Sequence, residues 1–237
     1  MTITDALLTM GVNHGRSGKS LVPQGIVVHY VANPGSSAMG NRNYFENGGT
    51  GVSAHFVIGL NGEILRCVPE NEVAAHVGAS YGAAWNEMVK TNNSKFLGIE
   101  CCHPAADGKF NDNTIASLTW LAADLCRRFK LDPNKDVYRH YDVCGKMCPI
   151  YYVNKPDEWI ALKNIFITAY NQMIGAQTAA PAAKPAVSNT PSAWAADAWA
   201  WVKKYNLNDG TRPLDNTTRE EVANILYKFY LLISKFQ

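Results

Sequence analysis

The first strong apolar run of the chain covers residues 25–31, whose sequence is GIVVHYV. It is rich in β-branched side chains and lies between Pro23 and Pro34, as is typical of a buried central strand. A second run, residues 96–101 (FLGIEC), has the same character. The pattern therefore predicts two interior strands. Residues 52–58 and 63–68 predict a further pair, because they flank Asn61-Gly62, the strongest short-range hairpin signal.

Two later segments have the period of amphipathic helices. The first follows a polar start at Asn113, ends before Asp132-Pro133, and places on one face Ile115, Leu118, Leu121, Ala122, Leu125 and Phe129. The second opens with Pro156 at a first-turn position and aligns Trp159, Leu162, Ile165, Phe166, Ala169 and Met173. Strands and helices in this order predict an α/β fold, with a mixed central β-sheet flanked by helices.

A change of composition divides the chain. Residues 176–192 are rich in Ala, Pro, Ser and Thr, which is typical of an extended linker. We therefore expect a main domain over residues 1–175 and a small module over 193–237. The sequence of this module predicts two helices, over residues 194–205 and 221–235, and the second follows a capping box at Thr217 to Glu220. So small a module buries little surface, so we expect it to pair with a second copy or dock on a partner.

Composition excludes several classes of protein. The chain is 47% hydrophobic and 18% charged, which is usual for a globular protein. Its formal charge is +2 and no run of Lys and Arg forms a basic stripe, so no nucleic-acid partner is expected. No segment approaches the roughly 20 apolar residues of a membrane span. Residues 1–10 include Asp5 and lack the pattern of a signal peptide, so we expect synthesis and folding in a cytoplasm, with the six cysteines reduced.

Candidate metal ligands stand close together near the end of the main domain. Residues 138–149 contain His140, Lys146 and Cys148 in a predicted loop, and imidazole and thiolate both bind zinc. His29 is a candidate third ligand, because an imidazole without a partner is costly to bury in an apolar strand. Three protein ligands would leave one tetrahedral position open, as in catalytic zinc sites. A lone histidine in a strand is more often a hydrogen-bonded core residue, so spacing alone leaves the triad open.

Several motifs in one order carry a more specific signal. They are His29 with Asn33-Pro-Gly35, Ser53-Ala-His-Phe-Val57, Gly62-Glu63, Ala75-His-Val-Gly78, Gly98-Ile-Glu100, His140-Tyr-Asp142 and Lys146-Met-Cys-Pro149. Over about residues 20–170 this order resembles the type 2 N-acetylmuramoyl-L-alanine amidases, relatives of the peptidoglycan recognition proteins, and especially their phage endolysin branch.

The resemblance implies a set of site residues. Its zinc ligands correspond to His29, His140 and Cys148, its catalytic acidic residue to Glu100, and its lysine to Lys146. Other branches of the family use a tyrosine just before the histidine of the hairpin strand, where this chain has Ala54. Proton transfer is then expected to depend on Glu100. His76 and Asn33 correspond to the substrate groove, which residues 41–44 are also expected to border, and His55 is expected to pack within the hairpin.

The implied activity is hydrolysis of the bond between N-acetylmuramic acid and L-alanine in bacterial peptidoglycan. The module over 193–237 is similar to the surface-layer-homology-like repeats of endolysins, which implies a cell-wall polymer as its partner. Such a protein would stay in the host cytoplasm until lysis and then act on the wall. Two alternatives remain: a cell-wall peptidase with Cys148 as nucleophile and His140 as base, and a peptidoglycan-binding protein without catalysis.

Overall fold

The computed structural model describes residues 1–77, 93–178 and 196–204, together with positions 225, 226 and 229. The chain divides into two compact units, Met1–Thr178 and Ala179–Gln237. The first unit holds every strand described below. Its last helix continues through Thr178, three residues into the segment that the sequence predicts to be a linker. The remainder of that predicted linker, and Gly78 of the Ala75-to-Gly78 motif, lie outside the described residues.

The strands of the first unit form two sheets. In chain order they are β1 (Ile3–Asp5), β2 (Arg16–Ser20), β3 (Gly25–Tyr30), β4 (Phe56–Ile58), β5 (Ile64–Arg66), β6 (Glu72–Ala74), β7 (Phe96–Cys101) and β8 (Val137–Arg139). The larger sheet has the order β1-β5-β4-β7-β3-β8, and β2 pairs with β6 in the smaller one. Strands β4, β7, β3 and β8 are parallel, whereas β4 and β5 form an antiparallel hairpin. This mixed sheet confirms the predicted fold class, the two interior strands and the hairpin.

The described helices of the first unit are α1 (Ala38–Asn47), α2 (Asp112–Phe129), α3 (His140–Cys144), α4 (Ile150–Asn154) and α5 (Pro156–Thr178). Helix α2 begins after Asn111, whose side chain accepts a hydrogen bond from the Thr114 amide, as N-cap residues do. The sequence prediction of a loop around His140 is wrong for residues 140–144, because a capped helical turn forms there. The turn is too short to show a helical period in the sequence.

The two faces of the larger sheet are filled differently. On one face, Ile26 and Val28 of β3 and Leu97 and Ile99 of β7 join the main core, which includes the apolar sides of α2 and α5. On the other face, Val27 and Phe96 pack with Val77, Val143 and Cys144. Because side chains alternate along a strand, His29 and Glu100 lie on this second face, away from the two long helices.

The second unit contributes one described helix, α6 (Ala196–Lys204), which lies within the predicted helix over 194–205. Of the second predicted helix, only positions 225, 226 and 229 are described, and all three are helical. Within the described ranges, every helix is too short or too polar to traverse a membrane. All six cysteines, which lie in the first unit, are buried free thiols.

Candidate active site

A cavity of about 250 Å³ opens at the carboxyl edge of the parallel strands. His29 and Glu100 are direct register partners on β3 and β7, and His140 follows immediately after β8. The carboxyl ends of parallel strands are the usual position of ligand sites in α/β folds. The described lining of the cavity includes His29, Asn41, Tyr44, Val52, Ser53, His76, Glu100, Lys146, Met147 and Cys148.

Helix α3 and the turn after it bring His140 and Cys148 together. The helix ends at Gly145, whose φ of 78° lies in the left-handed region that favours glycine. The chain then folds back, so that the Tyr141 amide donates a hydrogen bond to the Cys148 carbonyl at 2.9 Å. The two side chains, eight positions apart in the sequence, thereby come together beside His29.

Donor atoms of His29, His140 and Cys148 lie within 4.8 Å of one another. Cys148 Sγ is 3.8 Å from His29 Nδ1. Nitrogen and sulfur ligands of a tetrahedral zinc ion stand about 3.6 Å apart, given the usual bond lengths. Both ring nitrogens of His140 are buried and have no hydrogen-bond partner among the described residues, which a histidine seldom shows unless another ligand satisfies it. The three residues therefore fit a bound metal ion.

Burial decides the protonation states of these donors. It holds the pKa of His29 well below the ordinary value and lowers the pKa of His140 to about 3, so both imidazoles are neutral and have a free lone pair. Burial, and secondarily the Glu100 carboxylate, raises the pKa of the Cys148 thiol. A thiol in this environment is a poor nucleophile, whereas a bound cation would stabilise its thiolate.

Glu100 lies beside this donor set in the same cavity. Burial raises the pKa of Glu100 to about 8, and the positive charge of Lys146 opposes that rise. The Oε2 atom of Glu100 is buried and has no hydrogen-bond partner among the described residues. A carboxyl group whose pKa lies near neutrality is suited to accepting and returning a proton. The exposed Lys146 side chain brings a cation to the same wall of the cavity.

The two residues predicted to contact substrate lie in different settings. Asn33 is exposed and is not among the described residues that line the cavity. His76 lines the cavity, but both of its ring nitrogens are engaged within the protein. Nδ1 is 3.0 Å from His29 Nε2, and Nε2 is 3.0 Å from the Phe96 carbonyl oxygen. No ring nitrogen of His76 is therefore left for a substrate.

His55 is a structural residue. From the sequence we expect it to pack within the hairpin. Its Nδ1 accepts the Gly98 amide at 2.9 Å, and its Nε2 is 2.9 Å from the Glu72 carbonyl oxygen. It is fully buried.

Three apolar side chains lie at the rim of the cavity, and two of them, Val52 and Met147, are absent from the sequence prediction of the site. Tyr44, Val52 and Met147 are 56%, 40% and 46% exposed while lining the cavity. They come from α1, from the loop before β4 and from the loop after α3. An exposed apolar residue in a loop has no distinctive pattern, and only the fold brings these three together. The sequence did predict that residues 41–44 border the groove.

Comparison with known proteins agrees with this geometry. The profile of the Amidase_2 family, described as N-acetylmuramoyl-L-alanine amidase, matches residues 19–150, which include all three donors and Glu100. The chain belongs to this amidase family. The N-acetylmuramoyl-L-alanine amidase CwlL of Bacillus licheniformis is 36% identical over 136 residues, covering 55% of this chain and 37% of that protein. The chain thus matches less than two fifths of that relative's length.

Two solved structures at 28% identity share the fold of this amidase-family chain. The catalytic domain of XlyA has a TM-score of 0.58, covering 70% of this chain and 99% of that one. A mutant endolysin from Bacillus subtilis has a TM-score of 0.55, covering 71% of this chain and 98% of that one.

Proposed function

We propose that this chain is a zinc-dependent hydrolase that cleaves the amide bond between N-acetylmuramic acid and L-alanine in bacterial peptidoglycan. The observation that carries the proposal is the buried set of His29, His140 and Cys148, two of which, His29 and Cys148, line one cavity together with Glu100 and Lys146. The family of the chain and its amidase relative supply the substrate class.

We assign His29, His140 and Cys148 as the ligands of the zinc ion. Two imidazoles and one thiolate are a donor set that zinc takes in catalytic sites, with one position left for water or substrate. A bound zinc ion would polarise the scissile carbonyl and lower the pKa of a coordinated water. This chemistry suits hydrolysis of an amide, because the attacking water and the developing oxyanion both need stabilisation.

Glu100 and Lys146 perform the remaining steps. The Glu100 carboxylate accepts the proton of the attacking water and returns it to the leaving nitrogen of L-alanine. The Lys146 ammonium group stabilises negative charge that develops on the carbonyl oxygen. Ala54 stands where other branches of the family have a tyrosine, so Glu100 alone carries the proton transfer.

We propose an endolysin as the biological setting, since the chain is similar to a Bacillus subtilis endolysin. The enzyme would remain in the host cytoplasm until lysis and then attack the wall. The catalytic domain covers 1–175, the linker 176–192, and the module 193–237 binds a cell-wall polymer. The division of the chain after Thr178 supports this arrangement.

The test is cleavage of purified peptidoglycan by the full chain after chelation and after zinc is restored. The proposal is supported if the chain releases free muramoyl lactyl groups and peptides with N-terminal L-alanine, and if this release is lost on chelation and regained with zinc. A protein that binds peptidoglycan without cleaving it under any metal condition is a binding protein instead. Zinc-independent cleavage that disappears on alkylation of Cys148 would identify a thiol peptidase, which the buried thiol disfavours.

A further inference from the structure

Four imidazole rings form a row across the second face of the larger sheet. His55 and His76 have ring centroids 5.7 Å apart, His76 and His29 5.1 Å, and His29 and His140 4.5 Å. Two of the four, His29 and His140, belong to the proposed zinc site. His76 lies between His29 of this site and the buried His55. The proposed function assigns no role to His76.

The hydrogen bonds of His76 determine where its proton resides. The Phe96 carbonyl oxygen can only accept, so the His76 Nε2 that faces it carries the hydrogen. A neutral imidazole donates through one ring nitrogen and accepts through the other. Because Nε2 of His76 donates to Phe96, Nδ1 is the accepting nitrogen, and it faces His29 Nε2 at 3.0 Å.

The state of His29 follows from this arrangement. Its Nε2 must donate to His76, so the hydrogen of the neutral His29 ring resides on Nε2. Its Nδ1 is then unprotonated, and Nδ1 is the atom 3.8 Å from Cys148 Sγ. The carbonyl of Phe96 thus determines, through one intervening ring, which nitrogen of His29 has a free lone pair.

The His76 ring packs directly against the backbone of Gly98, which has no side chain. A Cβ atom added to Gly98 of β7 would lie 2.6 Å from His76 Cγ and 2.7 Å from Nδ1, too close for any side chain to replace the glycine without moving the ring. The main chain of His76 is also held in place by hydrogen bonds. The Asn93 side-chain oxygen accepts hydrogen bonds from the amides of His76 and Val77 at 2.9 and 2.7 Å.

We propose that His76 is a positioning residue that fixes the tautomer and orientation of His29 so that Nδ1 faces the metal. The inference rests on the proposed zinc site, and it replaces the substrate contact that the sequence predicts for His76. Partners of this kind, which hydrogen-bond to a ligating histidine, commonly contribute 10–100-fold to metal affinity.

Two substitutions at position 76 separate the hydrogen bond from mere packing. His76→Ala removes the acceptor, and we expect zinc affinity to fall by about 10–100-fold in competition with a chromophoric chelator. His76→Asn keeps an acceptor oxygen where Nδ1 stood, so we expect it to recover most of that loss. The second readout is the ¹⁵N spectrum of the metal-free chain. It should show His29 as the Nε2–H tautomer in wild type and in His76→Asn, and a mixture of tautomers in His76→Ala.

Gly98→Ala tests the same device without changing any histidine. We expect it to displace the His76 ring and to weaken zinc binding in the same direction as His76→Ala. The matched control is Gly175→Ala on α5, where an added Cβ has no atom within 4 Å, and its zinc affinity should equal that of wild type.

Unchanged zinc affinity in both His76→Ala and Gly98→Ala would overturn the inference, as would a wild-type His29 that carries its hydrogen on Nδ1. Failure of the proposed function has a different signature. In that case wild type binds no zinc, whereas the tautomer of His29 in the metal-free chain still responds to substitution of His76 and so still supports the positioning role.

Discussion

Glu100 is a carboxyl group kept largely neutral by its surroundings. Its Oε2 is buried and without a hydrogen-bond partner among the described residues, and the raised pKa of about 8 follows mainly from this burial. A bound metal dication in the adjacent donor set would lower that pKa and favour the carboxylate. The residue is thus balanced between a stable neutral form and a reactive anion.

Glu100→Gln should separate catalysis from stability. Glutamine matches the neutral carboxyl in shape, so we expect folding and zinc binding to be retained while amide hydrolysis falls by about 10²–10⁴-fold. In the metal-free chain the carboxyl has a pKa of about 8, raised by burial, whereas in the unfolded chain its pKa is the ordinary 4.5. Wild type should therefore lose stability relative to the variant as pH rises between these values, by at most about 1.4 kcal/mol per unit. Urea unfolding at several pH values measures this, and a variant with wild-type activity would contradict the assigned role.

His55 should make the chain sensitive to acid. Burial lowers its pKa to about 4, against 6.5 when unfolded. The unfolded state therefore binds the proton first, and this contribution to stability is lost as pH falls from about 6.5 to 4. We expect metal-free wild type to lose about 2 kcal/mol more than His55→Asn between pH 7 and pH 5. Asparagine keeps an acceptor for the Gly98 amide, so it serves as the matched variant. Equal losses in the two proteins would contradict the prediction.

Helix α3 carries a proposed zinc ligand, His140, on its first residue. Arg139 precedes it, and the Arg139 amide donates to Asp142 Oδ2 at 2.8 Å while the guanidinium binds Oδ1 at 2.6 Å. The same guanidinium donates to the Tyr152 carbonyl in α4 at 2.8 Å. These bonds hold the start of α3, and with it His140, against the following helix.

Asp142→Ala should loosen this helix start. We expect a loss of about 1 kcal/mol in stability, which is typical of removing a helix cap, and weaker zinc binding because His140 is less well oriented. Calorimetry and chelator competition measure the two effects. Asp157→Ala, at the first turn of α5 and away from the cavity, is the control and should leave zinc affinity unchanged. Equal zinc affinity in both variants would show that the cap does not orient His140.

At the scale of the whole molecule, the metal should stabilise the fold. The donors come from β3, from α3 and from the turn after it, so they are brought together only in the folded chain. Zinc at 100 times its Kd would raise the free energy of unfolding by about 2.7 kcal/mol. For a unit of this size, that corresponds to a rise in Tm of about 5–10 °C. Calorimetry of the full chain with zinc, and again after a chelator, tests this. A Tm independent of zinc in wild type, or an equal rise in Cys148→Ala, would contradict it.

The amino-acid sequence was enough to predict the elements that have a strong local pattern. Strands β3 and β7, the hairpin at Asn61-Gly62 and the helices α2 and α5 all follow from periodicity and turn chemistry within a short window. It also determined the chemical identity of the proposed donors, since imidazole and thiolate are what a zinc site needs. The three-residue strands β1 and β6 were not predicted, because three residues are too few to show a period and, unlike β4 and β5, these two strands do not flank a hairpin signal.

The way these residues combine into one site depends on the folded chain. Parallel pairing of β3 with β7 and β8 puts His29, Glu100 and His140 at one edge of the sheet, and pairing between distant strands has no local signature. Asn33, next to the His29 strand in sequence, is exposed and lies outside the described lining of the cavity. The Nδ1 atom of His76 faces His29 at 3.0 Å. The direction of a side chain in a cavity depends on contacts from several elements, and these contacts exist only once the chain has folded.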